Sequence, residues 1–288
     1  MRLSVRVPAT VANLGPGFDA LALAVDVQNE VEIETEERPA VTVEGEGAGE
    51  LPEDASNLIF RSMAYLAREA GGSLPPFALR SRNAIPLERG LGSSAAATVA
   101  GILLANELLG AHLDHDRLLE VAVDIEGHPD NVAACLFGGL VLVYLSSAGW
   151  RAERLQPHAS LRLVLLLPEE ERVPTVDARR VLPREVSLTD AAYNIGRAAL
   201  SVMALTARPD LLAEALEDRL HQGRRLALAP ASRALYQDLR EAGLPVCVAG
   251  SGPSLLAFEA DEARVPELGP GWRILRPQIA TGAELRKL

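Results

Sequence analysis

Apolar and polar positions alternate over residues 2–7, with Leu3, Val5 and Val7 on one face. They alternate again over 21–35, through Leu21, Leu23, Val25 and Val27 and then Val31 and Ile33. A period of two belongs to a strand with one face in a core. Both stretches are therefore predicted strands, the second long or bulged, and Val41 and Val43 continue the sheet. The period then changes. Residues 57–70 suit a helix capped by Ser56 and closed by Gly71 and Gly72. Phe77 and Leu79 mark another strand. From Ala95 to Leu109 the chain is alanine-rich and free of proline, which predicts a helix. Asp114 or Asp116 caps a further helix that ends near Gly127, and a strand follows over Leu140–Leu145.

Between residues 146 and 160 the chain turns small, polar and proline-containing. A domain boundary is expected there, dividing the chain into 1–155 and 156–288. Beyond it, Leu161–Leu167 is nearly continuously apolar and reads as a buried strand. Thr175 can cap a short helix, and residues 188–207, 210–228 and 232–242 are helical by period. Residues 245–249 and 255–258 read as strands, and 272–275 and 278–280 close their sheet. Strands and helices are mixed in both halves.

Composition narrows the possible partners. The 288 residues are 48% hydrophobic and 23% charged, enough for two cores in a globular chain. The net charge of −11 argues against nucleic acid and against an anionic membrane surface, both of which need a basic face. No segment approaches the roughly 18 apolar residues of a membrane span. The first residues alternate like a strand and lack the apolar core of a signal peptide. Cys135 and Cys247 lie in apolar runs and read as buried free thiols. A cytoplasmic protein is expected.

One stretch carries most of the chemistry: Pro86, Leu87, Glu88, Arg89, Gly90, Leu91, Gly92, Ser93, Ser94, Ala95 and Ala96. A glycine-rich loop feeding a helix presents free N–H groups and the positive end of the helix dipole to an anion. Serine hydroxyls add donors or metal ligands. The same residues would also serve as a simple helix cap. The stretch is no Walker loop, which needs a lysine, and the chain's one lysine is Lys287. Charge compensation must come from backbone N–H groups, arginines and a divalent cation. A second turn-rich stretch, Pro8 to Asp19, sets Asn13 and Asp19 among Gly15, Pro16 and Gly17.

Four segments stand in order: Asn13-Leu-Gly-Pro-Gly-Phe-Asp19, Gly90-Leu-Gly-Ser-Ser-Ala-Ala96, Glu126-Gly-His-Pro-Asp-Asn131 and Gly250-Ser-Gly-Pro253. In these the chain resembles the GHMP kinase superfamily, and within it the homoserine kinases, from Arg6 to about Phe258. The resemblance implies an α+β fold of two domains, the N-terminal one similar to ribosomal protein S5 and the C-terminal one ferredoxin-like. It implies ATP and Mg2+ as cofactors, ATP lying on residues 86–96, and L-homoserine as the substrate phosphorylated in threonine biosynthesis. Asn13, Asp19, His128, Asn131, Thr175, Arg179 and Arg225 would surround the substrate, with Arg179 and Arg225 on its carboxylate. Ser94 would stand near the metal with a carboxylate from Asp124 or Glu126, a choice the sequence leaves open. Related kinases can use an aspartate as base where this chain has Asn131, so positioning by Asn131 is expected to replace a dedicated base, with Asp130 the alternative. Homodimers are common among similar enzymes, but no stretch of the sequence marks an interface.

Overall fold

A computed structural model describes residues 1–36, 39–260 and 263–288. The chain begins with β1 (Arg2–Ala12) and β2 (Leu21–Thr35), antiparallel neighbours whose register shifts between Pro8 and Ala9. Pro8 has no N–H to give the ladder, and a bulge absorbs the defect. The first half continues through β3 (Ala40–Gly45), α1 (Leu58–Glu69), β4 (Phe77–Asn83), α2 (Ser93–Leu109), α3 (His115–Glu126), α4 (Asp130–Phe137), β5 (Leu140–Ser146) and β6 (Gly149–Leu155). The length of β2 lets it serve two partners on one side. Leu21–Leu23 pair with β5, and Glu30–Thr35 pair with β4. β3 lies parallel to β4. Helices α2 and α4 pack on β1. The small residues of α2 bring α1 very near: a Cβ on Gly101 would stand 2.5 Å from the Ile59 carbonyl oxygen.

The second half comprises β7 (Arg162–Pro168), α5 (Thr175–Arg180), α6 (Leu188–Thr206), α7 (Leu212–Ala215), α8 (Gln222–Leu226), α9 (Pro230–Glu241), β8 (Val246–Val248), β9 (Leu255–Glu259), β10 (Trp272–Leu275) and β11 (Glu284–Lys287). Its sheet runs β10-β7-β9-β8, antiparallel throughout. β7 is apolar along its length because both of its faces are covered. Leu163, Leu165 and Leu167 join the core of the first half, and Val164 and Leu166 join a second core with α9.

Four local expectations are corrected. Asn57, not Ser56, caps α1, accepting from the Ile59 N–H at 3.0 Å, while Ser56 donates to Asp54. Thr175 opens α5 without capping it. The helix expected over 210–228 is broken into a short 3-10 turn at Pro209–Leu211, α7 and α8. The Asp218 carboxylate accepts from the N–H groups of Leu220, His221 and Gln222 and from Asn194 Nδ2, which draws the backbone between α7 and α8 out of helix. Residues 278–280 do not close the second sheet. Ile279 bridges to Val25 on β2, and β11 then pairs antiparallel with β1, so the chain returns to the first sheet.

Candidate active site

A cavity of about 770 Å³ opens where the two halves meet. Residues 86–96 line it together with Asn13, Asp19, Glu126, His128, Asp130, Asn131, Thr175, Arg179 and Arg225. Of the residues anticipated at the site, Asp124 alone stands outside it.

One part of the cavity wall is built on the start of α2. Gly92 precedes the helix with a left-handed φ of 69°, and no side chain caps the first turn. Its N–H groups therefore remain available to an anion. The loop is clamped from behind by the 250–252 turn: a Cβ on Gly90 would lie 2.1 Å from the Ala249 carbonyl oxygen. Arg89 Nη2 donates to the Glu169 carbonyl at 2.8 Å, tying the loop to the other half.

The two carboxylates near the end of α3 lie in different surroundings. Asp124 is exposed to solvent and does not reach the cavity, because residues two apart on a helix face different ways. Glu126 accepts from Ser94 Oγ at 2.6 Å and from Thr98 Oγ1 at 2.7 Å. Thr98 was not anticipated. The signal for it was its place one turn after Ser94 on the same face of an alanine-rich helix.

Another part of the wall gathers residues from distant elements. Asn131 lies in the first turn of α4, and its Oδ1 accepts from the buried Thr10 hydroxyl on β1 at 2.7 Å. The amide nitrogen donates to Asp130 Oδ1 at 3.4 Å, and its second N–H is the donor left over. Asp130, 2% exposed, accepts the Asn131 N–H at 2.8 Å. Burial, with Asp19 close by, pushes the Asp130 carboxyl up to about 6. His128 Nδ1 stands 3.8 Å from Asp130 Oδ1, too far for a hydrogen bond. Asn13 has both ends of its amide committed: Nδ2 donates to the Gly250 carbonyl at 2.9 Å, and Oδ1 accepts from the Asp19 N–H at 3.1 Å. It staples two loops together.

Arg179 and Asp19 form an ion pair at 3.0 Å in the cavity wall. Arg225 is held more firmly. Its Nη1 donates to the Gly250 carbonyl at 2.7 Å and to His221 Nδ1 at 3.2 Å, and its guanidinium lies 5.4 Å from the Phe18 ring centre. His221 Nε2 donates to the Gly15 carbonyl at 2.7 Å, which leaves Nδ1 the lone pair it uses toward Arg225. Burial pulls His221 down to about 4, so the ring is neutral. Burial and the nearby Arg179 pull Arg225 down to about 10. His221 was not anticipated either, because it reaches the site only through Arg225.

A family model described as the GHMP kinases N terminal domain matches residues 57–139. The chain is 44% identical to a homoserine kinase of Streptomyces avermitilis, covering 99% of this chain and 95% of that one. It is 47% identical to the homoserine kinase of Streptomyces coelicolor, over 90% of this chain and 85% of that one. Among solved structures, the homoserine kinase of Cytophaga hutchinsonii superposes with a TM-score of 0.84 at 29% identity, over 99% of this chain and 97% of that one.

Proposed function

This chain belongs to the homoserine kinases, a branch of the GHMP kinases, and we infer that its cavity carries out their reaction as described below. The enzyme transfers a phosphoryl group from ATP to the side-chain hydroxyl of L-homoserine, giving O-phospho-L-homoserine for threonine biosynthesis. ATP lays its phosphates on residues 86–96, against the uncapped first turn of α2. Leu51, Pro52, Asn57 and Asn83 also line the cavity and would receive the base.

The donor set suits Mg2+. Glu126 and Ser94 offer hard oxygens at the phosphate end, and Thr98 fixes the carboxylate. Among the described residues no group of three or more His, Cys, Asp or Glu could hold a metal unaided. When bound, Mg2+ would neutralise phosphoryl charge.

The substrate is a zwitterion, and the Arg179–Asp19 ion pair offers it one charge of each sign. Its carboxylate goes to Arg179 and Arg225, and its ammonium goes to Asp19. Each charge of the resting pair thus finds a replacement partner. Asn131, held by Thr10, donates to the side-chain hydroxyl and aims it at the γ-phosphoryl. Asp130 is not needed as a base, because phosphoryl transfer has a loose transition state governed by positioning and electrostatics. The proton leaves late, to phosphate or water. The reaction takes place in the cytoplasm, where ATP is abundant.

The observation that carries this reading is the meeting of Asn131, Arg179, Arg225 and the α2 terminus in one cavity. ADP release with L-homoserine, beside L-serine, L-threonine, mevalonate and galactose, tests it. Turnover is expected with L-homoserine. Turnover only with another alcohol would discard the carboxylate role of the arginines, and ATP binding without turnover would discard the kinase. Asn131→Ala should lower kcat at least about 100-fold with KM for ATP little changed. Thr10→Val should give a smaller loss in the same direction. An unchanged kcat in Asn131→Ala would remove the positioning role.

A further inference from the structure

Four arginines line the cavity, and three of them are committed. Arg89 donates to the Glu169 carbonyl, Arg179 pairs with Asp19, and Arg225 is held by Gly250 and His221. The fourth, Arg61 on α1, is exposed. Among the described residues its guanidinium has no hydrogen bond, ion pair or ring contact. Asn57 and Leu58, four and three residues before it, line the cavity too, so one face of the first turn of α1 forms this wall.

The packing of α1 against α2 sets where Arg61 can reach. The two helices run side by side in the same direction. A Cβ on Gly101 of α2 would stand 2.7 Å from Ser62 Cβ, near the start of α1. A Cβ on Gly72, just beyond the end of α1, would lie 3.4 Å from Leu109 at the end of α2. Arg61 therefore leaves its backbone about level with Gly101. Side chains on a helix lean toward its N-terminus, so the reach of Arg61 is back along α2. Ala97 lies one turn before Gly101 and one turn after Ser93, and Ala97, Ser93 and Ser94 all line the cavity. A turn rises about 5.4 Å, within the span of an extended arginine side chain. Glu126 approaches α2 on another flank, through Ser94 and Thr98.

We propose that Arg61 binds the phosphate chain of ATP, on the flank of α2 away from Glu126. This rests on the reading that ATP lies on residues 86–96. The N–H groups at the start of α2 offset only part of a triphosphate's charge, and the loop has no lysine to add to them. Arg179 and Arg225 are given to the substrate carboxylate. Arg61 is a fixed cation with a planar fork of donors that suits phosphate oxygens, and it gives up no protein partner to bind them. It would grip one side of the phosphate chain while Ser94 and Glu126 face the other.

Calorimetric titration of the full chain with ATP and MgCl2, at about 20 mM and about 300 mM KCl, tests the proposal. Arg61→Gln is expected to weaken ATP binding about 10-fold at the lower salt and about threefold or less at the higher, where exposed charges are screened. Its circular dichroism spectrum should match wild type, and its KM for L-homoserine should stay within about twofold. Arg61→Lys, which keeps the charge, should recover most of the loss. The Arg61→Gln loss should be the same with 2′,3′-dideoxy-ATP, whose phosphates are unchanged. An Arg61→Gln variant that binds ATP as tightly as wild type overturns the proposal and leaves the reading of the site intact. So does a loss that salt does not reduce, or one that vanishes with the dideoxynucleotide, which would put Arg61 on the ribose. A wild type that binds no ATP would instead overturn the reading of the site, and the proposal with it.

Discussion

Arg225 is useful to a carboxylate only if its guanidinium stays where Gly250, His221 and Phe18 hold it. A hydrogen bond to a charged group is worth about 1.5–3 kcal/mol. His221→Phe should therefore raise KM for L-homoserine about 10- to 100-fold, with KM for ATP within about threefold of wild type. His221→Asn, which can offer an acceptor oxygen to Arg225, should recover part of the loss. Equal rises in both KM values would show that His221 merely supports the fold. Asp130 makes a different prediction, about stability. Its folded value is about 6, against about 3.9 in an unfolded chain. Between these values the folded protein binds more protons than the unfolded one, so stability falls as pH rises through the window. Asp130→Asn cannot ionise and escapes that loss. Urea unfolding should show the variant gaining on wild type by about 2–3 kcal/mol between pH 4 and pH 7. A constant difference would mean that burial does not oppose the Asp130 charge.

Among the elements, the two glycine-rich turns are the most tightly coupled. Gly90→Ala would place a methyl carbon 2.1 Å from the Ala249 carbonyl oxygen, at a φ of 71° that L side chains rarely adopt. Backbone on both sides leaves no easy relief. The variant should lose at least about 2 kcal/mol of stability, and ATP should no longer raise its Tm as it does for wild type. A Tm and an ATP-induced shift both equal to wild type would refute the clamp. The same scale shows what the sequence made legible. Alternation located β1 and β2, the continuous apolar run located β7, and motif order picked out residues 86–96, Arg179 and Arg225, which line one cavity. Interactions between distant residues were not legible. A period-based reading cannot see that Asp218 gathers three N–H groups and breaks a helix, or that Ile279 pairs with Val25. Thr10 and His221 escaped notice for a related reason. Each acts by holding a neighbour across the cavity wall, and no local pattern records that. The different surroundings of Asp124 and Glu126, one in solvent and one against Ser94, depend on how the end of α3 packs on α2, which no local pattern records.

For the whole molecule, the first sheet depends on both ends of the chain. β11 pairs with β1 from Leu3↔Lys287 to Arg6↔Glu284, and Leu285 packs against the main core. Deleting residues 284–288 should lower Tm by about 5 °C or more, while the second sheet, which β11 does not touch, keeps its strand pairing. Hydrogen exchange that speeds up along β1 and not along β9 would show this, and uniform exchange would not. The pairing also sets a timetable. On the ribosome, everything from Ala12 to Glu284 is synthesised before β1 meets its outer neighbour. Throughout that interval β1 presents an open row of N–H and C=O groups, the kind of edge that recruits foreign strands. A transcript cut short near its 3′ end would yield a protein with the catalytic cavity encoded in full and that edge never closed, so its hazard to the cell would be aggregation more than lost activity.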